Sequence, residues 1–164
     1  MKIPNDDPRS KYRSRDREVS VAELAEFLAD RHQWVLSTTR ADGRPQMSMV
    51  TGGMTADGQL AIATYPERVK AMNARRNPLV SIAVMGEEFN SEWVQIDGAA
   101  TVMDMPAARD GFVAYYRSIS GEHPDWDEYC EAMVDQGKCL ILVTPTRWSP
   151  VSRGGFPPSL FADD

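Results

Sequence analysis

Apolar positions along the chain follow two rhythms. From Val21 they recur at helical spacing through Leu24, Phe27 and Leu28. Ser20-Val21-Ala22-Glu23 has the form of a capping box, in which the Ser oxygen and the Glu carboxylate serve free amides at a helix start. The spacing therefore predicts a helix beginning at Ser20. The rhythm then changes. Residues 34–39 are β-branched and aromatic, the signature of a strand. Asp42-Gly43 is a tight-turn pair, and residues 46–51 read as the return strand. Gly52 and Gly53 predict a bend or bulge. Ala56-Asp57-Gly58 is a second turn, and residues 59–64 close a meander of three strands. Residues 79–85 form an apolar run short enough for a buried strand, and residues 86–91 are polar and turn-like. Residues 92–104 alternate loosely through Trp93, Val94, Ile96, Ala99 and Val102, with Gly98 as a bulge. Pro106 predicts a helix start, since its missing N–H costs nothing there. Phe112, Tyr115, Tyr116 and Ile119 line one side of that helix. Residues 120–124 break it, residues 125–136 read as another helix stopped by Gly137, and residues 138–144 are a last strand.

Short hairpin connections exclude a doubly wound parallel sheet, whose crossovers need about a dozen residues. The expected fold is mainly β (α+β), a small antiparallel barrel with short helices packed outside. Residues 1–19 read as a flexible tail, residues 20–150 as one domain and residues 151–164 as an irregular Pro-, Gly- and Ser-rich tail.

Composition supports one folded domain: 164 residues, 42% hydrophobic and 26% charged, is ordinary for a globular chain with a real core. No apolar run approaches the roughly 20 residues of a membrane helix, and the N-terminus lacks an apolar signal core. Two cysteines, Cys130 and Cys139, make no disulfide framework. A cytoplasmic protein with reduced thiols is expected. The formal charge of −6 argues against general nucleic-acid binding. Arg9, Lys11, Arg13, Arg15 and Arg17 form a basic arm interleaved with Asp16 and Glu18. It reads as a disordered or partner-draped segment, with a nucleic-acid arm as the rival.

Within this acidic chain, residues 66–78 are basic: Arg68, Lys70, Arg75 and Arg76 lie between two strands. A short helix between strands presents cations at one fixed place, which suits a phosphate or carboxylate. A solvated helix face explains the same charges. Other chemistry is missing. His32 and His123 have no spaced metal-ligating partners, and neither a nucleophile elbow nor a phosphate-cradling glycine loop occurs. Ser120 and His123 sit in a helix break and read as capping groups. Asp125, Asp127, Glu128, Glu131 and Asp135 suit a solvated helix face. An enzyme built on this chain needs an organic cofactor to supply the reaction chemistry.

Three pieces together resemble a known family. Residues 37–48, Ser-Thr-Thr-Arg-Ala-Asp-Gly-Arg-Pro-Gln-Met-Ser, resemble the opening hairpin of the pyridoxamine 5′-phosphate oxidase-like split β-barrel superfamily. Arg68-Val69-Lys70 through Arg75-Arg76-Asn77-Pro78 is similar to its cofactor-phosphate segment. Residues 116–129 are similar to a helical insertion in its deazaflavin branch, the actinobacterial B group of oxidoreductases that use coenzyme F-420. The resemblance implies a homodimer with two cofactor sites at the interface and a small-molecule substrate. It implies that Gln46, Met47, Ser48 and Met49 border the deazaflavin ring and ribityl chain, with Ala63 and Thr64 approaching from the other side. Arg68 and Lys70 would hold the phosphate, Arg75 would reach the acidic tail, and Trp93 would come from the opposite subunit. For Met47 and Met49, barrel core is an equal reading. True pyridoxamine 5′-phosphate oxidases carry a C-terminal Arg-x-His pair. Here Arg147-Trp148-Ser149 replaces it, which counts against vitamin B6 oxidation. The implied activity is hydride transfer between C5 of F-420 and an unsaturated organic substrate. The alternatives are an FMN-binding flavoprotein of the same fold and a non-catalytic cofactor-binding protein.

Overall fold

The computed structural model describes residues 2–88 and 90–162. Phe89, inside the predicted turn at 86–91, and Met1, Asp163 and Asp164 in the predicted tails lie outside them. Besides short 3-10 helices at Pro8–Tyr12 and Pro158–Leu160, the elements are β1 (Arg15–Arg17), α1 (Val21–Leu28), β2 (Gln33–Thr39), β3 (Pro45–Met54), β4 (Leu60–Thr64), α2 (Val69–Arg76), β5 (Leu79–Met85), β6 (Glu92–Asp104), α3 (Arg109–Ser120), α4 (Trp126–Asp135), β7 (Cys139–Trp148) and β8 (Val151–Arg153). The strands run in the order β1-β8-β6-β5-β2-β3-β4-β7, and β7 pairs back onto β6. Every named strand pair is antiparallel. Six strands thus close a barrel, and β8 and β1 extend one side of it.

Alternation fills the barrel. Trp34, Leu36, Leu60, Ile62, Ile82, Val94, Ile96, Ile141 and Val143 are buried inside, and Leu24 and Leu28 of α1 pack against them. The opposite face of β4 and β7 carries Ala61 and Leu140, which pack under Phe112 and Tyr115 of α3 and Met133 of α4. Among the described residues the outer face of β2, β5 and the first part of β3 lacks such a cover, so Met47, Met49 and Leu79 are left 69%, 88% and 68% exposed.

Several local expectations hold. The Ser20–Glu23 capping box is complete, Gly43 turns the first hairpin at φ +84°, and the β6 ladder shifts register between Asp97 and Gly98. His123 Nδ1 accepts the Asp125 amide at 3.1 Å, and Asp125 caps α4. Others need correction. β3 runs straight through Gly52 and Gly53, which serve close approach: a Cβ on Gly52 would sit 2.1 Å from the Trp34 ring, and one on Gly53 2.1 Å from Ser118 Oγ. α3 begins at Arg109 because residues around Pro106 close a turn first, Arg109 N–H to the Pro106 carbonyl. The chain ends also carry structure. β7 continues past Pro145 to Trp148, β8 pairs with β6 and β1, Ile3 bridges to Phe161, and Phe161 is buried. Among the described residues no helix is long and apolar enough to cross a membrane.

Candidate functional site

The barrel is forked between β3 and β4. β3 pairs with β2 from Pro45 to Thr51, but β4 joins it only at Gly52, Gly53 and Met54. Residues 45–51 therefore have one ladder partner and one open edge. The next β3–β4 pair in register would be Thr51 with Ala63. The Tyr115 hydroxyl stands there instead, donating to the Thr51 carbonyl at 3.3 Å. Burial pushes the Tyr115 phenol up, and a hydrogen bond to the Ala63 backbone holds it partly back. Tyr115 thus wedges the fork. Sequence reasoning placed it only as a lining residue of α3, since nothing in a helical period marks a hydroxyl that replaces a ladder bond. Beyond the wedge, β4 ends at Thr64 and the chain turns into α2, which packs against β2 and β3.

The four cations of this segment divide into two pairs. Arg75 is held by Asp104 at 2.5 Å and reaches the Val102 carbonyl. Arg76 donates to the Thr39 carbonyl at 2.9 Å and to Asn73 Oδ1 at 2.7 Å. Arg68 and Lys70 have no side-chain hydrogen bond or ion pair within the described chain. Arg68 occupies the N-cap position of α2, where the helix dipole and unpaired amides add positive potential. Lys70 is partly buried, and burial pushes its ammonium below the usual lysine range, with the Arg68 charge adding to the effect. Two like charges at a helix start without an acid between them form a place that favours an anion.

The nominated β3 residues separate by alternation. Gln46 and Ser48 turn toward α2: Gln46 Oε1 accepts from Thr38 Oγ1 at 3.0 Å, and Gln46 Nε2 donates to Ser48 Oγ at 2.7 Å. Met47 and Met49 point to the open outer face of the sheet, so neither is barrel core. Their register neighbours there are Ser37 and Val35 on β2, then Ser81 and Ala83 on β5. Trp93 lies on the outer face of β6, paired with Met85 and 38% exposed. Ala63 and Thr64 end β4 beside the fork, and Thr64 is buried. Gln46 and Ser48 thus lie on the α2 side of β3, Ala63 and Thr64 end β4 beside the fork, and Arg68 and Lys70 open the helix that follows β4 and packs on β3. Met47, Met49 and Trp93 lie on a separate face. A cleft lined by Asp30, Arg31, Glu87, Glu92 and Arg153 opens at the barrel end opposite α2. Its mixed charges match none of the nominated residues.

A forked antiparallel barrel with an anion-favouring helix start beside the open strand defines the class. The family model for pyridoxamine 5′-phosphate oxidase matches residues 20–152, and the chain belongs to that family. It is 34% identical over 103 residues to an F-420H(2)-dependent biliverdin reductase of Mycobacterium tuberculosis (strain CDC 1551 / Oshkosh), covering 60% of this chain and 72% of that protein. Among solved structures, the conserved hypothetical protein Rv2991 from Mycobacterium tuberculosis superposes with a TM-score of 0.67 at 26% identity, over 83% of this chain and 86% of that one. An F-420 reductase superposes at 0.57 and 19% identity, over 76% and 94%, a likeness of fold.

Proposed function

We propose that the protein is an oxidoreductase that binds coenzyme F-420 at the fork and passes a hydride to an unsaturated organic acceptor. The observation that carries this reading is the pair Arg68 and Lys70, which form no ion pair or side-chain hydrogen bond among the described residues and open the helix that packs on β3. The similarity to the biliverdin reductase supports the choice of cofactor and direction. The guanidinium fork and the ammonium point charge hold the phosphate from two sides. Gln46, Ser48, Ala63 and Thr64 border the ring and its chain. Arg75, tied to Asp104, remains the outermost contact for the acidic tail. Met47 and Met49 lie on a face where a second copy packs, and Trp93 of the partner subunit closes the site. When bound, the deazaflavin supplies the hydride at C5. The protein's own part is to hold that carbon against the acceptor and exclude water.

FMN also bears a phosphate, so the same cations serve it. A side-by-side fluorescence and absorbance titration decides between the two. Low-micromolar or tighter binding of F-420, with weaker binding of FMN, is expected. Replacing both Arg68 and Lys70 with Ala should abolish binding while the melting transition stays intact. Retained affinity in that double variant contradicts the assigned phosphate site.

A further inference from the structure

A run of hydrogen bonds links α2 to β3, and its direction follows from chemistry. Arg76 can only donate, and it donates to Asn73 Oδ1 at 2.7 Å. The Asn73 amide nitrogen must then face the other way, and it donates to Thr38 Oγ1 at 3.0 Å. Asn73 and Thr38 are 4% and 1% exposed, so water cannot substitute for either. With its oxygen accepting from Asn73, the Thr38 hydrogen goes to Gln46 Oε1 at 3.0 Å. The Gln46 amide nitrogen is thereby turned to Met47 O at 2.8 Å and to Ser48 Oγ at 2.7 Å. Ser48 Oγ is the last acceptor of the run. Its own hydrogen has no acceptor within the described chain.

We propose that Ser48 is a dedicated hydrogen-bond donor to a carbonyl oxygen or ring nitrogen of the flat cofactor, held in the donating state by the relay Arg76–Asn73–Thr38–Gln46. This rests on the cofactor reading above and assigns one polar contact within it. Ser48 touches the ligand; Thr38, Asn73, Gln46 and Arg76 are positioning residues that act through it. The cation at the far end polarises each bond in turn, so the Ser48 hydrogen is a better donor than an isolated hydroxyl. The relay also ties the helix that carries Arg68 and Lys70 to the strand that borders the ring. Phosphate grip and ring contact are thereby held in one fixed relation.

Three variants test the relay against a merely structural role. Ser48→Ala removes the donor. Thr38→Val keeps the shape and cuts the run. Asn73→Asp reverses it: the new carboxylate accepts from both Arg76 and Thr38, so Thr38 stops donating to Gln46, whose amide turns over. Ser48 then donates to Gln46 instead of outward. Each variant should weaken F-420 binding about tenfold, the loss of one well-made hydrogen bond. Each should shift the absorption band of the bound chromophore in the same direction. Thr38→Val combined with Ser48→Ala should bind no more weakly than Ser48→Ala alone, because the two act through one contact. Unchanged affinity in Ser48→Ala, or additive losses in the double variant, overturns the relay while the cofactor reading stands. If the wild-type chain binds neither F-420 nor FMN, both fall together.

Discussion

Lys70 shows how one side chain ties the proposed site to pH. Burial and the neighbouring Arg68 hold its pKa below the ordinary 10.5. In the unliganded protein the unfolded chain therefore binds that proton more tightly than the folded one. Lys70 thus costs stability while charged, and the cost is relieved as pH rises through its lowered pKa toward 10.5. Anion binding has the opposite dependence, since it needs the ammonium. Affinity for F-420 should accordingly fall, from neutral pH upward, at a lower pH than an ordinary lysine would set. Lys70→Arg should remove that fall, because a guanidinium stays charged throughout. A pH series of dissociation constants for both proteins checks this, and a flat wild-type profile up to the usual lysine range would count against it. Charge made Arg68 and Lys70 legible in the sequence. That Arg75 and Arg76 are engaged within the chain was not legible, because Asp104 and Asn73 meet them only after folding. Tyr115 and Asn73 were hidden for a related reason: each acts through one polar atom at a tertiary junction, and periodicity reports only apolar faces.

Among the elements, those with a strong period were legible: the meander β2–β4, the buried strand β5 and the capped helix α1 all lie where alternation, turns and capping place them. The short outer strands were not. β1 is three residues long, and all three are exposed, so no hydrophobic rhythm marks it. Its register comes from backbone pairing with β8, which in turn pairs with Glu92 and Trp93 of β6. The two chain ends hold each other: Ile3 bridges to Phe161, Arg13 to Phe156, and the Arg13 guanidinium lies over the Phe161 ring at 5.4 Å. Phe161 is 1% exposed. Phe161→Ala should therefore cost about 3 kcal/mol, the lower part of the range for a fully buried ring, because this layer is thin and can partly collapse. Urea denaturation measures it. A variant as stable as the parent would mean that the chain ends do not contribute to the cooperative fold.

At the scale of the molecule, the unequal coverage of the barrel bears on the proposed dimer. α3 and α4 cover β4, β7 and the Gly53 end of β3, α1 and α2 pack on other parts of the barrel, and among the described residues no helix covers the outer face around Met47, Met49 and Leu79. Its apolar residues include Met47, Met49, Leu79 and Trp93, with Ser81 and Asp97 hydrogen-bonded among them at 2.7 Å. Those bonds from Ser81 and Gln95 hold the Asp97 carboxyl below the usual carboxylate range, so it stays charged and internally satisfied on that face. A strand surface that exposes Met47, Met49, Leu79 and Trp93, with Asp97 already served by Ser81 and Gln95, suits burial against another copy better than contact with water. The proposed site gives the same answer: with a cofactor phosphate at Arg68 and Lys70, the open edge of β3 offers the flat ring one wall, and a second must come from elsewhere. The proposed dimer supplies the second wall, with Trp93 as the reaching residue. Met49→Glu places a charge at the most exposed methionine of that face. It should convert a species of twice the 18.3 kDa chain mass into a monomer in light scattering. It should also lower F-420 affinity sharply, although Met49 is on the outer face and not on the side of β3 that meets α2, because the wall is lost with the partner. A wild-type chain that is monomeric at micromolar concentration, or a monomeric Met49→Glu variant that binds F-420 as tightly as the parent, would sink the shared site and return the whole of cofactor recognition to one barrel.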